Sequence, residues 1–476
     1  MFRVVIAGVL LAASFPPINF WFLAPISIAL FYSQLMGAIF KLRLQICALY
    51  GLFFFAPLLH WSSTFVGALP WLILVVGETL FFLGLAIFSW DSKITHYFRF
   101  AALWVLLEFA REKLPFGGFG WGRVGFSQLP SPLSFYLPIF GITGLTFLTV
   151  IFAAVFTKKE LRTKSFIFLV ATTMIGFGTE YLIDHKVAQK SENSKLNITL
   201  IQGGVAQANL NFNNIPMEVF KRHLATTNKY LASKSYAINP ADLIIWPENA
   251  SDLDPITTPE IARDITALGR EFTGDILIGA VLNGEDGPKN AAILYKDNGN
   301  IEQYIKRDLA PFGEYIPLRT IAERISPLAK EITDFIPGSN SAVFSTENGV
   351  FTPLICFELL DDTFATQTNL KSNFLVSITN NATFGKSSEA AQQFLIARVR
   401  AYESRKEAAI VSTTGYTGFI DSKGRVMVQA AQFDQSATSR EISLNNYQTP
   451  ISKNRNFPEL LVTAIFLLTF YRRKRG

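Results

Sequence analysis

The stretch Asn290-Ala-Ala-Ile-Leu-Tyr-Lys-Asp-Asn-Gly-Asn-Ile-Glu-Gln-Tyr-Ile-Lys306 decides the fold of the second half of the chain. Two short runs of apolar and β-branched residues flank the dipeptide Asn298-Gly299, which is the strongest local signal for a tight β-hairpin. Lys306 follows the second run, where that strand is expected to end. The stretch therefore predicts two paired strands with a basic side chain at the end of the second.

Similar β-branched runs lie on both sides of this hairpin, and each ends in polar residues or glycine. They cover residues 197–201, 242–246, 276–281 and 374–378. Residues 388–407 instead place Leu395, Val399 and Tyr402 at helical spacing on one face. Strands that alternate with helices indicate a layered α/β domain, which we assign to residues 195–450.

The first part of the chain is too apolar for a soluble domain. Of 476 residues, 50% are hydrophobic, only 17% are charged and 44 are Phe, which excludes a disordered chain and suggests that much apolar surface faces lipid. A helix needs about 20 mostly apolar residues to cross a bilayer. We therefore predict a polytopic α-helical membrane domain of about eight spans joined to the α/β domain.

Seven of these spans fall within residues 1–190, and a C-terminal transmembrane helix covers residues 457–471. The seven lie near residues 4–15, 21–37, 44–60, 68–90, 97–112, 133–156 and 165–183. The first could instead be a cleaved signal peptide. The sequence Phe15-Pro16-Pro17, followed at once by a second apolar run, favours a hairpin between two retained helices.

Positive charge in short loops predicts which side the α/β domain faces, because Lys and Arg are retained in the cytoplasm. With a cytoplasmic N-terminus, the inside segments hold thirteen Lys and Arg residues, including the tail Arg472-Arg473-Lys474-Arg475, against Arg111, Lys113 and Arg123 outside. The α/β domain is therefore expected outside the cytoplasm. This bias explains most of the net charge of +6, so the charge does not indicate nucleic-acid binding.

The number and positions of the cysteine and histidine residues limit which disulfides and metal sites the chain can form. Cys47 lies in the third predicted span, so Cys356 is a lone thiol in the α/β domain and no disulfide can form within it. Four scattered His residues without a Cys cluster argue against a metal site, and no glycine-rich phosphate loop is present. We predict neither a metal nor a cofactor.

Three reactive side chains stand where predicted strands end, which is where layered α/β folds tend to place catalytic groups. They are Glu248 in Trp246-Pro247-Glu248, Lys306 after the hairpin, and Cys356 in Leu354-Ile-Cys356. Taken singly, each is more often a solvated loop residue, a strand end or a small buried hydrophobe. Together they form a base, a cation and a thiol, which is a set suited to acyl transfer.

These segments resemble the Glu-Lys-Cys triad of the nitrilase, or carbon–nitrogen hydrolase, superfamily. The most specific segment is Lys306-Arg-Asp-Leu-Ala-Pro-Phe-Gly-Glu314-Tyr-Ile-Pro, and the flanking spans make the chain similar to the membrane-bound branch, the apolipoprotein N-acyltransferases. The resemblance implies an α-β-β-α catalytic domain on the periplasmic side of a multi-pass protein of the bacterial inner membrane. It also implies transfer of an acyl chain from a phospholipid, through a thioester, to the N-terminal amine of a diacylglyceryl-cysteine lipoprotein.

The resemblance also implies a role for each matching residue. Glu248 is expected to be the general base, Lys306 the oxyanion-stabilising cation and Cys356 the nucleophile. Glu314 is expected to support the triad by holding Lys306 or relaying a proton, and Glu358 to be an acid beside the nucleophile. A structural ion pair is the alternative for both supporting glutamates.

Several positions depart from the pattern of that family, and they cluster on the substrate side. Phe357 and Phe212 stand where Tyr and Trp are expected. The segment Asn380-Asn381-Ala-Thr383-Phe384-Gly lacks the usual carboxylate and indole, and Gln392-Gln393 replaces Gln-His. We take Phe357, Phe212 and Phe384 as substrate-binding candidates. The departures allow a divergent paralogue with altered donor or acceptor preference.

Two other readings of the same residues stay open. A membrane-tethered amidase-like hydrolase would use water rather than an amine to resolve the thioester, and a lipoprotein-binding scaffold would have kept the fold without activity. Within the spans, Glu108 has Arg111 and Lys113 one turn away as partners, whereas Glu78 has none in the nearby sequence. Glu78 is therefore a candidate for a functional intramembrane acid.

Overall fold

The computed structural model describes residues 1–325 and 327–471 and resolves the chain into two compact units. One comprises Met1–Lys186 together with the segment from Thr449 onward, and the other comprises Val187–Gln448. The basic tail that entered the orientation argument lies outside the described residues. The helix after the α/β domain groups with the N-terminal helices.

The helices, in chain order, are α1 Phe2–Ala13, α2 Leu23–Leu35, α3 Phe40–Leu58, α4 Ala68–Phe82, α5 Ile94–Lys113, α6 Val124–Ser127, α7 Leu137–Val155, α8 Arg162–Lys190, α9 Glu218–Leu231, α10 Lys234–Ile238, α11 Pro259–Glu271, α12 Arg319–Ile325, α13 Asp362–Lys371, α14 Glu389–Ser404, α15 Pro450–Lys453 and α16 Phe457–Tyr471. A helix therefore covers each of the eight segments predicted to be a span.

Among the described residues, four helical segments are long and apolar enough to cross a membrane: Phe40–Leu58, Ala68–Ala86, Pro132–Val155 and Lys159–Lys190. The same part of the chain contains shorter apolar helices at Phe2–Ala13, Leu23–Leu35 and Phe457–Phe470. The membrane character of this unit follows from these helices, whereas the count of eight spans stays a prediction.

Aromatic side chains fill the interior of the helical unit. Phe31 stacks on Tyr50 with ring centroids 3.9 Å apart, and Phe82, Phe100 and Trp104 meet these rings edge-on or at a tilt. Such pairs contribute about 0.5–1.5 kcal/mol each beyond the area that they bury. The abundance of Phe therefore serves helix packing as well as the lipid-facing surface.

The intramembrane acids pair differently from the prediction. Arg111 does not pair with Glu108 but reaches α4, where its Nη1 lies 2.6 Å from Oε2 of Glu78. Glu108 accepts hydrogen bonds from Trp104 Nε1 and the backbone N–H of Val124 at 3.0 and 2.9 Å. Arg111 and Glu108 are close together along one helix, but the arginine side chain is long enough to cross to the next helix. Glu78 is thus a member of a buried ion pair.

The strands of the second unit are β1 Ser191–Gln202, β2 Leu243–Ile245, β3 Asp275–Gly284, β4 Gly287–Tyr295, β5 Ile301–Ile305, β6 Phe344–Ser345, β7 Val350–Phe351, β8 Pro353–Ile355, β9 Leu375–Thr379, β10 Ala408–Ser412, β11 Gly418–Ile420, β12 Val426–Gln429 and β13 Ser436–Asn445. They form a six-stranded sheet in the order β13-β1-β2-β3-β4-β5, a five-stranded sheet in the order β12-β11-β10-β9-β8, and the small pair β6-β7.

Buried apolar clusters hold the helix, sheet, sheet and helix layers of this unit together. Side chains of both large sheets, among them Leu200, Ile355 and Val411, share one buried cluster. The other face of the six-stranded sheet packs Ile244 and Ile276 against helices α9 and α11. Burial of a large aliphatic side chain contributes about 1.5–3 kcal/mol. The α/β sandwich expected from the strand and helix pattern is confirmed.

The hairpin also forms as predicted, with Ala291 opposite Ile305 and Tyr295 opposite Ile301. Gly299 adopts φ of +84° in the turn, where a side chain would be strained. Strand β2 runs parallel to β1 and β3, and β8 and β10 run parallel to β9. Residues that follow β2, β8 and β9 therefore leave at the carboxyl ends of parallel strands, where open α/β sheets place their sites.

Candidate active site

Glu248 sits on a tight turn three residues after β2. The turn packs so closely on β3 that a Cβ atom at Gly279 would lie 2.7 Å from the Cα of Glu248. Only glycine leaves room for this approach. The glycine in the predicted strand at residues 276–281 thus allows the turn to carry Glu248 across the end of the sheet.

The Glu248 side chain is 4% exposed and its carboxylate is held at both oxygens. Oε1 accepts hydrogen bonds from Nδ2 of Asn290 at 2.7 Å and from Nζ of Lys306 at 3.1 Å. Oε2 accepts one from the backbone N–H of Asn380 at 2.8 Å. A carboxylate fixed in this way has a single orientation in which to receive a proton.

Lys306 leaves the end of β5 and lies between two carboxylates. Its ammonium is 3.1 Å from Oε1 of Glu248 and 2.8 Å from Oε2 of Glu314, and the lysine is 1% exposed. Glu314 is kept in place by the backbone N–H of Ala310, which donates to the same Oε2 at 2.8 Å. Glu314 therefore forms an ion pair with Lys306, and its expected role in supporting the triad stays a prediction.

Asn290 joins the two glutamates and was missed by the sequence analysis. Its Nδ2 donates to Oε1 of Glu248 and to Oε1 of Glu314, both at 2.7 Å. It lies at the start of the hairpin, where its carbonyl oxygen accepts from the backbone N–H of Lys306 at 2.8 Å. The hairpin register contained the signal, because it places residues 290 and 306 side by side.

Cys356 follows β8 and opens a short 3₁₀ helix, Cys356–Leu359. Its φ of +51° is unusual for a residue with a side chain and marks a sharp, strained turn between strand and helix. The residue is half-buried, and its Sγ receives a hydrogen bond from Nε2 of Gln393 at 3.4 Å.

The charges of Glu248 and Lys306 both act on Cys356. The pKa of the thiol is raised to about 12, chiefly by burial and then by the charge of Glu248, against the lowering effect of Lys306. Burial raises the pKa of Glu248, against the attraction of Lys306. Burial alone would lower the pKa of Lys306, but Glu248 and Glu314 raise it well above its usual value. The resting site therefore holds a neutral thiol and a charged ammonium, and its nucleophile needs a base.

Glu358 is fully buried and braces the turn that carries the cysteine. Its Oε1 accepts from the Tyr304 hydroxyl at 2.6 Å and the backbone N–H of Arg307 at 2.9 Å, and its Oε2 accepts from the backbone N–H of Ile355 at 2.8 Å. These bonds tie the end of β5 to the end of β8. Glu358 thus connects the ends of the strands that carry Lys306 and Cys356, and its role in the reaction stays a prediction.

The three aromatic candidates occupy different places. Phe357 is half-buried directly after the cysteine, and Phe384 is half-buried at the end of the short helix Ala382–Phe384 after β9. Phe212 is half-buried in the turn-rich segment before α9. Substrate binding by these side chains stays a prediction.

The site contains the parts for acyl chemistry on sulfur. A carboxylate can take the thiol proton, an ammonium can stabilise a negative oxygen, and the thiol can carry an acyl group. Within the part of the chain that the structure describes, no group of three or more His, Cys, Asp and Glu side chains could hold a metal ion.

Comparison with known proteins assigns both parts of the chain. Residues 198–449 match the family model for carbon–nitrogen hydrolases, and residues 7–155 match that for the apolipoprotein N-acyltransferase N-terminal domain. The first match covers more than half of the chain. The chain belongs to the carbon–nitrogen hydrolase family.

Curated relatives are similar over nearly their full lengths. The chain is 28% identical to an apolipoprotein N-acyltransferase of Haemophilus influenzae, over 99% of this chain and 95% of that protein. It is 29% identical to an apolipoprotein N-acyltransferase of Geobacter metallireducens, over 92% and 88%. Among solved structures, a CN-hydrolase superfamily protein of Xanthomonas campestris with an arsenic adduct in its active site is 17% identical, with a TM-score of 0.40 over 57% of this chain and 97% of that one.

Proposed function

We propose that this protein is a membrane N-acyltransferase that moves an acyl chain from a phospholipid to the N-terminal amine of a diacylglyceryl-cysteine lipoprotein. The observation that carries the proposal is the convergence of Glu248, Lys306 and Cys356 in a chain whose N-terminal part matches the apolipoprotein N-acyltransferase domain. The curated relatives carry the corresponding name.

In the first half-reaction, Sγ of Cys356 attacks the carbonyl carbon of a phospholipid ester. The thiol proton moves to Glu248 as the carbon–sulfur bond forms, and Lys306 stabilises the negative oxygen of the tetrahedral intermediate. Collapse of the intermediate breaks the carbon–oxygen bond, and Glu248 returns the proton to the departing oxygen. The products are a lysophospholipid and a thioester on Cys356.

In the second half-reaction, the neutral amine of the lipoprotein attacks the thioester carbon. A carbon–nitrogen bond forms and the carbon–sulfur bond breaks, while Glu248 takes a proton from the nitrogen and passes it to the departing sulfur. The raised pKa of Glu248 suits this role, because a carboxylate whose pKa is raised takes up a proton more readily than an ordinary one. The cycle ends with an amide and a regenerated thiol.

A membrane location fits this chemistry. Each buried methylene of an acyl chain contributes about 0.8 kcal/mol to its retention in the bilayer, so a phospholipid donor is reached most cheaply by an enzyme held at the membrane. We propose a multi-pass protein of the bacterial inner membrane with transmembrane residues 1–190 and 457–471. Its catalytic domain, residues 195–450, would lie on the periplasmic side.

The proposal is tested by following a radiolabelled acyl chain on the purified full-length protein. We expect label from a phospholipid to stay on the wild-type protein until a lipopeptide with a free N-terminal amine is added, and Cys356→Ala to carry none. Cys47→Ala is the matched control, because it removes the other free cysteine, and it should label normally.

Two results would contradict the proposal. Prompt release of free fatty acid without an acceptor would indicate that the protein is a hydrolase, in which water rather than an amine resolves the thioester. Labelled Cys356→Ala would show that the acyl group is carried elsewhere.

Glu248→Gln tests the base separately, and normal labelling of that variant would overturn the assignment of Glu248 as the base.

A further inference from the structure

A second polar network reaches Cys356 from residues that follow it in the sequence, whereas Glu248 and Lys306 precede it. The network contacts the thiol through Gln393 on α14. The Oε1 atom of Gln393 accepts hydrogen bonds from the Thr379 hydroxyl and from Nδ2 of Asn381, both at 2.9 Å. Two donors on the oxygen leave the amide nitrogen pointing away from them. That nitrogen donates to Sγ of Cys356 at 3.4 Å.

Asn381 is itself held in one orientation. Its Oδ1 accepts from the Ser412 hydroxyl, and its Nδ2 donates to Oε2 of Glu389 at 2.7 Å as well as to Gln393. The fit around it is tight, because a Cβ atom at Gly415 would lie 2.7 Å from Cγ of Asn381. An asparagine whose oxygen and nitrogen are both committed cannot flip its amide without breaking hydrogen bonds.

Glu389 closes this network in the first turn of α14. The residue is 2% exposed, and burial, together with the charge of Glu248, raises the pKa of its carboxyl to about 8. Its Oε2 can accept from Asn381 whether or not the other oxygen carries a proton. Position 381 lacks the carboxylate expected from the resemblance, and Glu389 brings a carboxylate to that side chain from another element.

We propose that Glu389 is a positioning residue that acts on the nucleophile through Asn381 and Gln393. Glu389 fixes Asn381, Asn381 fixes the amide of Gln393, and Gln393 donates a hydrogen bond that favours the thiolate of Cys356 over the thiol. The inference deepens the proposed function, because it rests on Cys356 being the nucleophile.

The network also has a place in the half-reactions. When the thioester breaks, sulfur departs with its bonding electron pair, and a donor already aimed at Sγ stabilises the charge that develops there. Lys306 and Gln393 then act on different atoms: the ammonium acts on the acyl oxygen and the amide on the sulfur. No atom is transferred along the network, which acts by orientation alone.

Alkylation of the thiol by iodoacetamide tests the last link without any lipid substrate. The full-length protein in detergent, carrying Cys47→Ala so that only Cys356 reacts, is compared with Gln393→Met at pH 8. We expect alkylation to slow about threefold to tenfold, since a less stabilised thiolate is scarcer but somewhat more nucleophilic.

Gln392→Met is the matched control on the same helix. Gln392 donates to the Ser388 hydroxyl at 3.3 Å. It should alkylate at the rate of the parent protein. A Gln393→Met protein that also alkylates at the parental rate would overturn the role of the amide.

Two substitutions of Glu389 test the anchor. Glu389→Gln keeps an oxygen acceptor for Asn381 and should alkylate within about twofold of the parent, whereas Glu389→Leu removes the acceptor and should be about threefold slower or more. A parental alkylation rate in Glu389→Gln but not in Glu389→Leu would distinguish a positioning role of Glu389 from a packing role. Thermal unfolding of each protein checks that it is folded. Equal rates for Glu389→Leu and the parent, or equal slowing in both variants, would contradict the proposal.

Failure of this inference and failure of the proposed function give different results. Alkylation that follows the expected order in a protein that never accepts an acyl label would support the network and overturn acyl transfer. Acyl labelling of the wild type with identical alkylation in all variants would support acyl transfer and overturn the network.

Discussion

Both units of the protein bury charged groups, but they balance those charges differently. In the helical unit, the guanidinium of Arg111 meets the carboxylate of Glu78 at 2.6 Å, so that one cation faces one anion. In the catalytic unit, the single ammonium of Lys306 lies between two carboxylates.

The difference separates structural pairs from reactive groups. A buried ion pair with full hydrogen bonding has no net charge and little tendency to exchange protons, so it can only hold helices together. Two carboxylates share one ammonium here: burial raises the pKa of Glu248, and Glu314 raises it as well, against the attraction of Lys306. A carboxylate with a raised pKa, such as that of Glu248, can accept a proton more readily at ordinary pH.

Removing the shared cation should have the largest effect. In Lys306→Met, Glu248 and Glu314 lose their common partner, and the negative oxygen of the intermediate loses its stabilising charge. We expect acyl-enzyme formation to fall at least about a thousandfold, measured by the initial rate of labelling from phospholipid.

Lys296→Met is the matched control for this variant. Lys296 lies between the two strands of the same hairpin and pairs with Glu302 at 3.0 Å, at a partly exposed position. Its rate should stay within about twofold of the wild type. A similar loss in both variants would mean that hairpin stability, rather than the shared charge, explains the result.

Breaking a balanced pair in the helical unit should damage stability instead. Arg111→Met leaves Glu78 buried without its cation, which costs about 3–5 kcal/mol of unfolding free energy. Thermal unfolding in detergent should show a lower melting temperature, and the double variant Glu78→Leu/Arg111→Met should recover part of the loss.

The exposed pair Lys93–Asp91, at 3.4 Å, provides the comparison. Lys93→Met should change the unfolding free energy by less than about 1 kcal/mol. If the double variant melts as low as Arg111→Met alone, the loss lies in the bonds of Arg111 to backbone carbonyls rather than in the uncompensated acid.

Asn290 sharpens the comparison because it joins the two glutamates without adding charge. Asn290→Leu removes two hydrogen bonds to charged groups, and we expect labelling to slow by about a hundredfold. Thermal unfolding should show whether the variant is folded. Labelling at the wild-type rate would indicate that Lys306 alone positions both carboxylates.

Phe357→Tyr should have the smallest effect. One added hydroxyl next to the nucleophile can form one hydrogen bond, so we expect a change of at most about tenfold in transfer to a lipopeptide, with labelling of Cys356 unchanged. A gain in transfer would show that the phenylalanine limits acceptor use. A loss of labelling would instead place residue 357 in the first half-reaction.

The elements with local signals could be predicted from the sequence. The hairpin followed from Asn298-Gly299, and Glu248, Lys306 and Cys356 were expected because each directly follows a recognisable strand. The structure brings them together because the strands of each sheet end at a common edge, which is a property of the fold rather than of any single segment.

Partners brought together only by tertiary structure could not be predicted. Asn290 looks like a weak strand former, and Glu389 looks like an ordinary acid in the first turn of a helix. Arg111 and Glu78 lie 33 residues apart, and the nearer Glu108 seemed the better partner. Treating Arg111 and Arg123 as loop charges also ignored their burial. Long side chains choose partners by distance in space, and no periodicity encodes that choice.

The register of the β4–β5 hairpin also determines whether the active site forms. Side chains alternate between faces along a strand, so a slip of one residue between β4 and β5 would turn Asn290 away from Lys306 and Glu248. The turn at residues 297–300 sets that alignment, although it contributes no reactive group. A single deletion there would leave every catalytic residue in the polypeptide and yet produce an inert protein.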